Sequence, residues 1–317
     1  MRSIFNTKGL LAAWIGLSTT AQLWPGVSAQ WTMRNIVLDS VSCDTAATNY
    51  LAKAIYNIQS MLYSTISGLS TIKDNLGKAR EDLEAADRAK LDLFMAMYGI
   101  FDPVDTDAIS TAQTTVDTVA TFANQLLGGL ENDALEIGVC CNNDHLREIK
   151  GVYPVVYRST VYPDMLLIPA EDNCDGNLRA MMQETTTFTR DIMTICPDSL
   201  PMTNPDTEYE EAWIAHIDQY DTGSLTGIQG EYMDDIVATT GEVTLLHELT
   251  HTESFFGASG VLEDMFTSEE ENAYRWEKCF DLADNPETRA NAVKNAETFA
   301  YFSAGKYDSV CIGLRKK

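Results

Sequence analysis

Four histidines occur in this chain, and two of them, His247 and His251, stand four residues apart in TTGEVTLLHELTHTESFF with Glu248 beside the first. On a helix, positions i and i+4 share one face, so both imidazoles can be offered to a single metal ion. Glu248 lies about 100° further round the same helix. From there a carboxylate can reach a water on the metal without itself being a ligand. These are the parts of metal-assisted peptide hydrolysis, with Zn2+ the expected ion, His247 and His251 its ligands and Glu248 the catalytic base. The flanks suit a buried helix, because Val243, Leu246 and Thr250 face inward when the histidines face a cleft.

Catalytic zinc keeps three protein ligands and one open position. No third histidine follows at a metzincin interval, so the remaining ligand must be a carboxylate among Glu263, Asp264, Glu269, Glu270, Glu271 and Asp281. The other two histidines, His145 and His216, read as surface or loop residues. Cys140, Cys141 and His145 in CCNNDH could be argued as a second metal cluster, but bridge formation is the stronger expectation for these cysteines.

A metal helix needs a scaffold. Leu51, Ile55, Ile58, Leu62, Leu69, Ile72 and Leu76 recur at steps of four and three, which predicts one face of a long helix after Cys43. KAREDLEAADRAKLDLFMAMYGIF continues the helical region toward Pro103, and DAISTAQTTVDTVATFANQLLGGL predicts a further helix closed by Gly128 and Gly129. From Ile137 the texture changes. IGVCC, YPVVYRSTVY, MLLIPA and TRDIMTIC are short, β-branched or aromatic, and bounded by turn residues, as strands are. Helical periodicity returns at Glu242, and a last helix is expected with Asp284 or Asn285 as its cap, Pro286 in its first turn and Gly305 at its stop. The expected fold class is therefore α+β: N-terminal helices over 44–137, then a small twisted sheet, the metal helix and C-terminal helices over 138–317.

Arg2 and Lys8 lead an apolar run from Leu10, and Val27 and Ala29 are small, so residues 1–29 read as a secretory signal with a single mature domain over 30–317. Secretion favours disulfides among Cys43, Cys140, Cys141, Cys174, Cys196, Cys279 and Cys311. Three bridges would leave one cysteine over, and the adjacent Cys140 and Cys141 are expected to reach different partners. Forty-seven acidic residues against 22 basic ones give a net charge of −25. That excess argues against nucleic acid and anionic membranes as partners, and it suits either a basic polypeptide substrate or a solvated surface.

From His247 to Gly305 the chain resembles the secreted fungal deuterolysin family, the aspzincins, and especially their peptidyl-Lys metalloendopeptidase branch. That family follows H-E-x-x-H with G-T-x-x-D-x-x-Y-G, then a Cys and a terminal helix similar to the NAETFAYFSAG found here. IMTICPDSL and the helix after Cys43 also resemble family segments. The resemblance implies a zincin-like fold and, with Tyr274 as the motif's Tyr, an oxyanion-stabilising phenol. Counting back three from Tyr274 puts the third metal ligand at Glu271, the carboxylate type that thermolysin-like enzymes use. Ser268 with Glu271 also fits a capping box, and Tyr274 also fits a core position. Glu271 for Asp and Arg275 for Gly depart from the pattern, and no segment for a propeptide is expected before Cys43. The resulting expectation is a secreted zinc metalloendopeptidase acting on polypeptides, favouring basic or Lys-containing ones. Two alternatives stand beside it: a catalytically drifted zinc-binding protein serving metal capture or surface interaction, and an interaction protein built on the N-terminal helices.

Overall fold

The computed structural model describes residues 35–101, 105–151, 157–161, 166–168, 174, 180–185, 191–196, 241–257, 260–267 and 271–307. The signal-like leader, His216, Ser268 and Cys311 lie outside them. Helix α1 (Thr45–Asn75) begins where the Asp44 carboxylate accepts the Ala47 N–H, which satisfies one of the free amides of the first turn. From Leu51 to Ile72 its apolar stripe is buried as the spacing predicts, Leu76 is half-buried at the C-cap, and Thr65 fills the stripe where the pattern lapses. α1 is the central column: α2 (Ala85–Met97), α3 (Thr106–Glu131), α4 (Gly241–Leu249), which carries His247 and Glu248, and the last helix α7 (Ala296–Tyr307) all pack against it.

α3 does not stop at its glycines but runs through Gly128 and Gly129 to Glu131. Gly129 answers a packing need, since a Cβ there would come 2.4 Å from the Phe255 ring in the short helix α5 (Glu253–Phe256) that follows α4. Its carbonyl also accepts the Asn35 side-chain N–H at 2.6 Å, which ties the start of the described chain to the end of α3.

Among the described residues, seven strands form one sheet in the order β1-β2-β7-β6-β5-β4-β3. β1 (Ile36–Leu38), β2 (Ile137–Cys140) and β7 (Asp191–Ile195) run parallel, with Ile36 opposite Ile137 and Ile137 opposite Asp191. β6 (Ala180–Thr185), β5 (Leu166–Ile168), β4 (Tyr157–Ser159) and β3 (Leu146–Glu148) continue antiparallel. The division into a helical part followed by a sheet part therefore needs one correction, because β1 precedes the helices and joins the sheet. β2 and β7 are buried at every position, as strands covered on both faces are.

Cys43 bonds Cys141 and Cys174 bonds Cys196. Cys140 is a correction: its neighbour takes the bridge to Cys43, while Cys140 itself points into the sheet core as a buried free thiol whose pKa burial pushes up to about 12. Cys279 is also buried, with its Sγ 3.4 Å from the Ala273 carbonyl oxygen. Among the described residues, no helix is long and apolar enough to cross a membrane.

Candidate metal centre

Helix α4 carries His247 and Glu248, and its last turn tightens so that the Thr250 and His251 amides meet the carbonyls of His247 and Glu248. Val243, Leu246 and Thr250 are buried, so the inward face is the one the sequence indicates. His247 and His251 then bring their Nε2 atoms to 3.3 Å from each other.

The third group is Asp264, whose Oδ1 lies 3.2 Å from His247 Nε2 and 3.6 Å from His251 Nε2. Backbone bonds hold it there from both sides. Glu263 N–H donates to Lys294 O at 2.9 Å and Ala296 N–H to Glu263 O at 3.0 Å, while Met265 N–H reaches Asn295 Oδ1 at 3.1 Å. The segment thus runs as a short bridge alongside the start of α7, and Leu262 N–H bonds Thr250 O to fix its other end to the metal helix.

The outer ring nitrogens decide the tautomers. His251 Nδ1 meets the Leu262 carbonyl at 2.8 Å, and a carbonyl only accepts, so this nitrogen carries the proton. His247 Nδ1 donates to Glu297 Oε2 at 2.9 Å. With both protons spent outward, two bare Nε2 lone pairs and a carboxylate oxygen face one another. Oδ1 of Asp264 is buried and has no hydrogen-bond donor. Such a set of acceptors repels itself unless it shares a cation. A four-coordinate ion bound at about 2.0–2.1 Å needs ligand atoms about 3.3–3.4 Å apart. The observed separations fit that edge, so His247, His251 and Asp264 could hold a metal ion.

The electrostatics agree. Burial opposes a charge on His247, but the Asp264 and Glu297 carboxylates beside it outweigh that and raise its pKa well above the ordinary value, so the centre favours a cation, whether a proton or a metal ion. Burial likewise works against the Asp264 carboxylate, yet His247, His251 and the Tyr274 hydroxyl hold it down at about 2. Each group is arranged to favour positive charge at the centre.

Glu248 is buried, and its Oε2 accepts the Met182 N–H of β6 at 2.6 Å. That fixes one of its two oxygens. Burial raises its pKa, with the charges of His247 and His251 pulling the other way. Tyr274 caps α6 (Arg275–Asp284), hydrogen-bonds Asp264, and stacks edge-on with its ring 5.8 Å from that of His247. Burial first, then the Asp264 charge, raises its pKa, so the phenol keeps its proton through the neutral range.

Glu271, expected as the third ligand, is elsewhere. Its exposed carboxylate pairs with Lys278 on α6, and the group that could hold a metal ion contains Asp264 instead. The signal was present but counted from the wrong end. Counted forward from Gly260, G-V-L-E-D keeps the Gly and the Asp of G-T-x-x-D, with Val261 in place of the Thr, and reaches Asp264. Between Asp264 and Tyr274 the chain has extra residues, closed by bonds from Ala273 N–H to Met265 O and from Thr267 N–H to Glu271 O. His145 is also corrected, from a surface or loop position to a buried one with both nitrogens on hydroxyls. Glu297 and the Met182 amide carried no local signal, because each comes from a distant segment. Comparison of the chain with protein-family models, with curated proteins and with solved structures finds no match.

Proposed function

We propose that this chain is a secreted zinc metalloendopeptidase of the deuterolysin type. The observation that carries the reading is the convergence of His247, His251 and Asp264 with a buried carboxylate, Glu248, that stands beside them and is not one of them. A site that only stores metal has no use for such a base. Two imidazoles and one carboxylate, tetrahedrally spaced, suit zinc with one position left open. Two disulfides and a signal-like leader support secretion.

Zinc in this position would supply a Lewis acid that acidifies water to near neutrality and polarises the scissile carbonyl. The residues do the rest. Glu248, raised in pKa by burial, takes the proton from the attacking water and hands it to the leaving amine. Tyr274, which keeps its phenolic proton, can swing that O–H from Asp264 to hydrogen-bond the oxygen on which negative charge develops. Glu297 and the Leu262 carbonyl hold the imidazoles in the tautomer that leaves Nε2 free. The net charge of −25 favours approach of basic polypeptides.

The test is to incubate the zinc-loaded mature chain with a mixed peptide library and map the new termini by mass spectrometry beside Glu248→Gln. Cleavage should fall by about 10²–10⁴-fold in the variant while zinc stays bound. Zinc bound to both proteins with no cut from either would leave a non-catalytic zinc-binding protein instead.

A further inference from the structure

We infer that Glu297 is a positioning residue that ties the ligand His247 to the Tyr274–Arg275 turn, so that occupancy of the metal centre and placement of the Tyr274 phenol depend on each other. The inference rests on the metal-centre reading above. Glu297 stands in the first turn of α7 and divides its two oxygens between two elements. Oε2 accepts His247 Nδ1–H at 2.9 Å on the metal helix, and Oε1 accepts the Arg275 backbone N–H at 3.0 Å at the start of α6. Tyr274 precedes Arg275 in the chain, and its hydroxyl bonds Asp264. Asp264 Oδ1 in turn lies 3.2 Å from His247 Nε2. The path closes on itself: His247, Glu297, Arg275, Tyr274, Asp264 and back to His247.

Two features mark this as a built connection. Both groups that meet Glu297 are donors, so the position needs an acceptor at each oxygen, and only a carboxylate offers two. A glutamine would keep one acceptor and turn an N–H₂ toward another N–H. Arg275, moreover, has φ 70°, a left-handed conformation that a side chain with a Cβ rarely adopts. Such a residue persists only where its surroundings hold it, and here the Glu297 bond to its own N–H does so. The carboxylate also lies at the N-terminus of α6, whose exposed amides favour negative charge.

The experiment follows the Arg275 amide by hydrogen exchange in the 15N-labelled mature chain, with and without zinc, together with zinc affinity by chelator competition. The proteins are wild type, Glu297→Gln and Arg275→Gly. In wild type, zinc should slow exchange at position 275. Glu297→Gln should lose that zinc-dependent protection and bind zinc about 10–100-fold more weakly. Arg275→Gly keeps the amide and relieves the backbone, so it should retain the protection and melt at a higher temperature. A role confined to general stability would lower the melting point of Glu297→Gln without removing the response of that amide to zinc. Retention of the zinc response in Glu297→Gln, or its loss in Arg275→Gly, would overturn the inference while leaving the protease reading intact. A wild-type chain that binds no zinc would instead remove the protease reading. The tie would then be decided on the metal-free proteins: faster exchange at position 275 in Glu297→Gln supports it, and equal exchange overturns it.

Discussion

At the scale of single residues, burial without charge sets what His145 does. Its Nδ1 lies 3.0 Å from Ser159 Oγ and its Nε2 3.0 Å from Thr194 Oγ1, with the Thr194 hydroxyl passing on to Gln183. Burial, partly offset by Asp39, lowers its pKa from 6.5 to about 4. The folded value lies below the unfolded one, so the unfolded chain takes up the proton first as pH falls. Stability from this group is complete above about pH 6.5 and is lost progressively toward the folded value. The loss is on the order of 3 kcal/mol at most. Urea melts at pH 7 and pH 5 should show it, and His145→Gln should flatten the difference. The same contrast explains what could be seen in advance. His247, Glu248 and His251 are legible because helical geometry relates them within two turns. Choosing Asp264 over five other carboxylates requires knowing which segment folds back along the start of α7, and that is decided by bonds from residues 294–296.

At the scale of elements, α4 is held at its start by Asn57 of α1, which donates to Glu242 Oε1 at 3.0 Å, and beyond its end by the sheet. Behind His251, Asp191 of β7 accepts the amides of Glu253 at 3.2 Å and Ser254 at 3.0 Å, capping α5 from the sheet. Removing this cap by Asp191→Ala should cost about 1–2 kcal/mol, and because the turn carries His251, zinc affinity should fall with it. Thermal melts and a zinc titration check both effects. A drop in melting temperature with unchanged affinity would mean that the turn holds without its cap. Long amphipathic α1 is readable because its periodicity is sustained and its one polar lapse, Thr65, is tolerated in the core. β1, β3 and β6 are not, since three to six residues show no reliable period and their partners lie far away in sequence. The terminal helix was expected near Asn285, with Gly305 as its end. Instead a 3-10 turn spans Arg289–Lys294, Asn295 turns extended to pair with Glu263, and α7 starts at Ala296 and passes through Gly305. Asn295 breaks the pattern because its side chain serves Met265, Ala273 and Thr298 at once.

At the scale of the whole molecule, the proposed peptidase would combine a strong acidic excess with a metal centre. The net charge of −25 should draw basic peptides toward the protein, an attraction that salt screens over about 10 Å at 0.1 M. Cleavage of a Lys-rich peptide should therefore slow as ionic strength rises from about 0.01 to 0.5 M, while a neutral peptide of similar length changes little. Equal salt responses would mean that the charge serves solubility alone. Everything else in the account depends on which three side chains bind the ion, and the measurement that bears on this most directly is zinc affinity in Asp264→Ala beside Glu271→Ala. The account predicts that Asp264→Ala loses zinc affinity by at least about 100-fold, whereas Glu271→Ala, which removes only a surface partner of Lys278, stays within about twofold. The reverse pattern, with Glu271→Ala losing the ion and Asp264→Ala keeping it, would contradict the metal centre described.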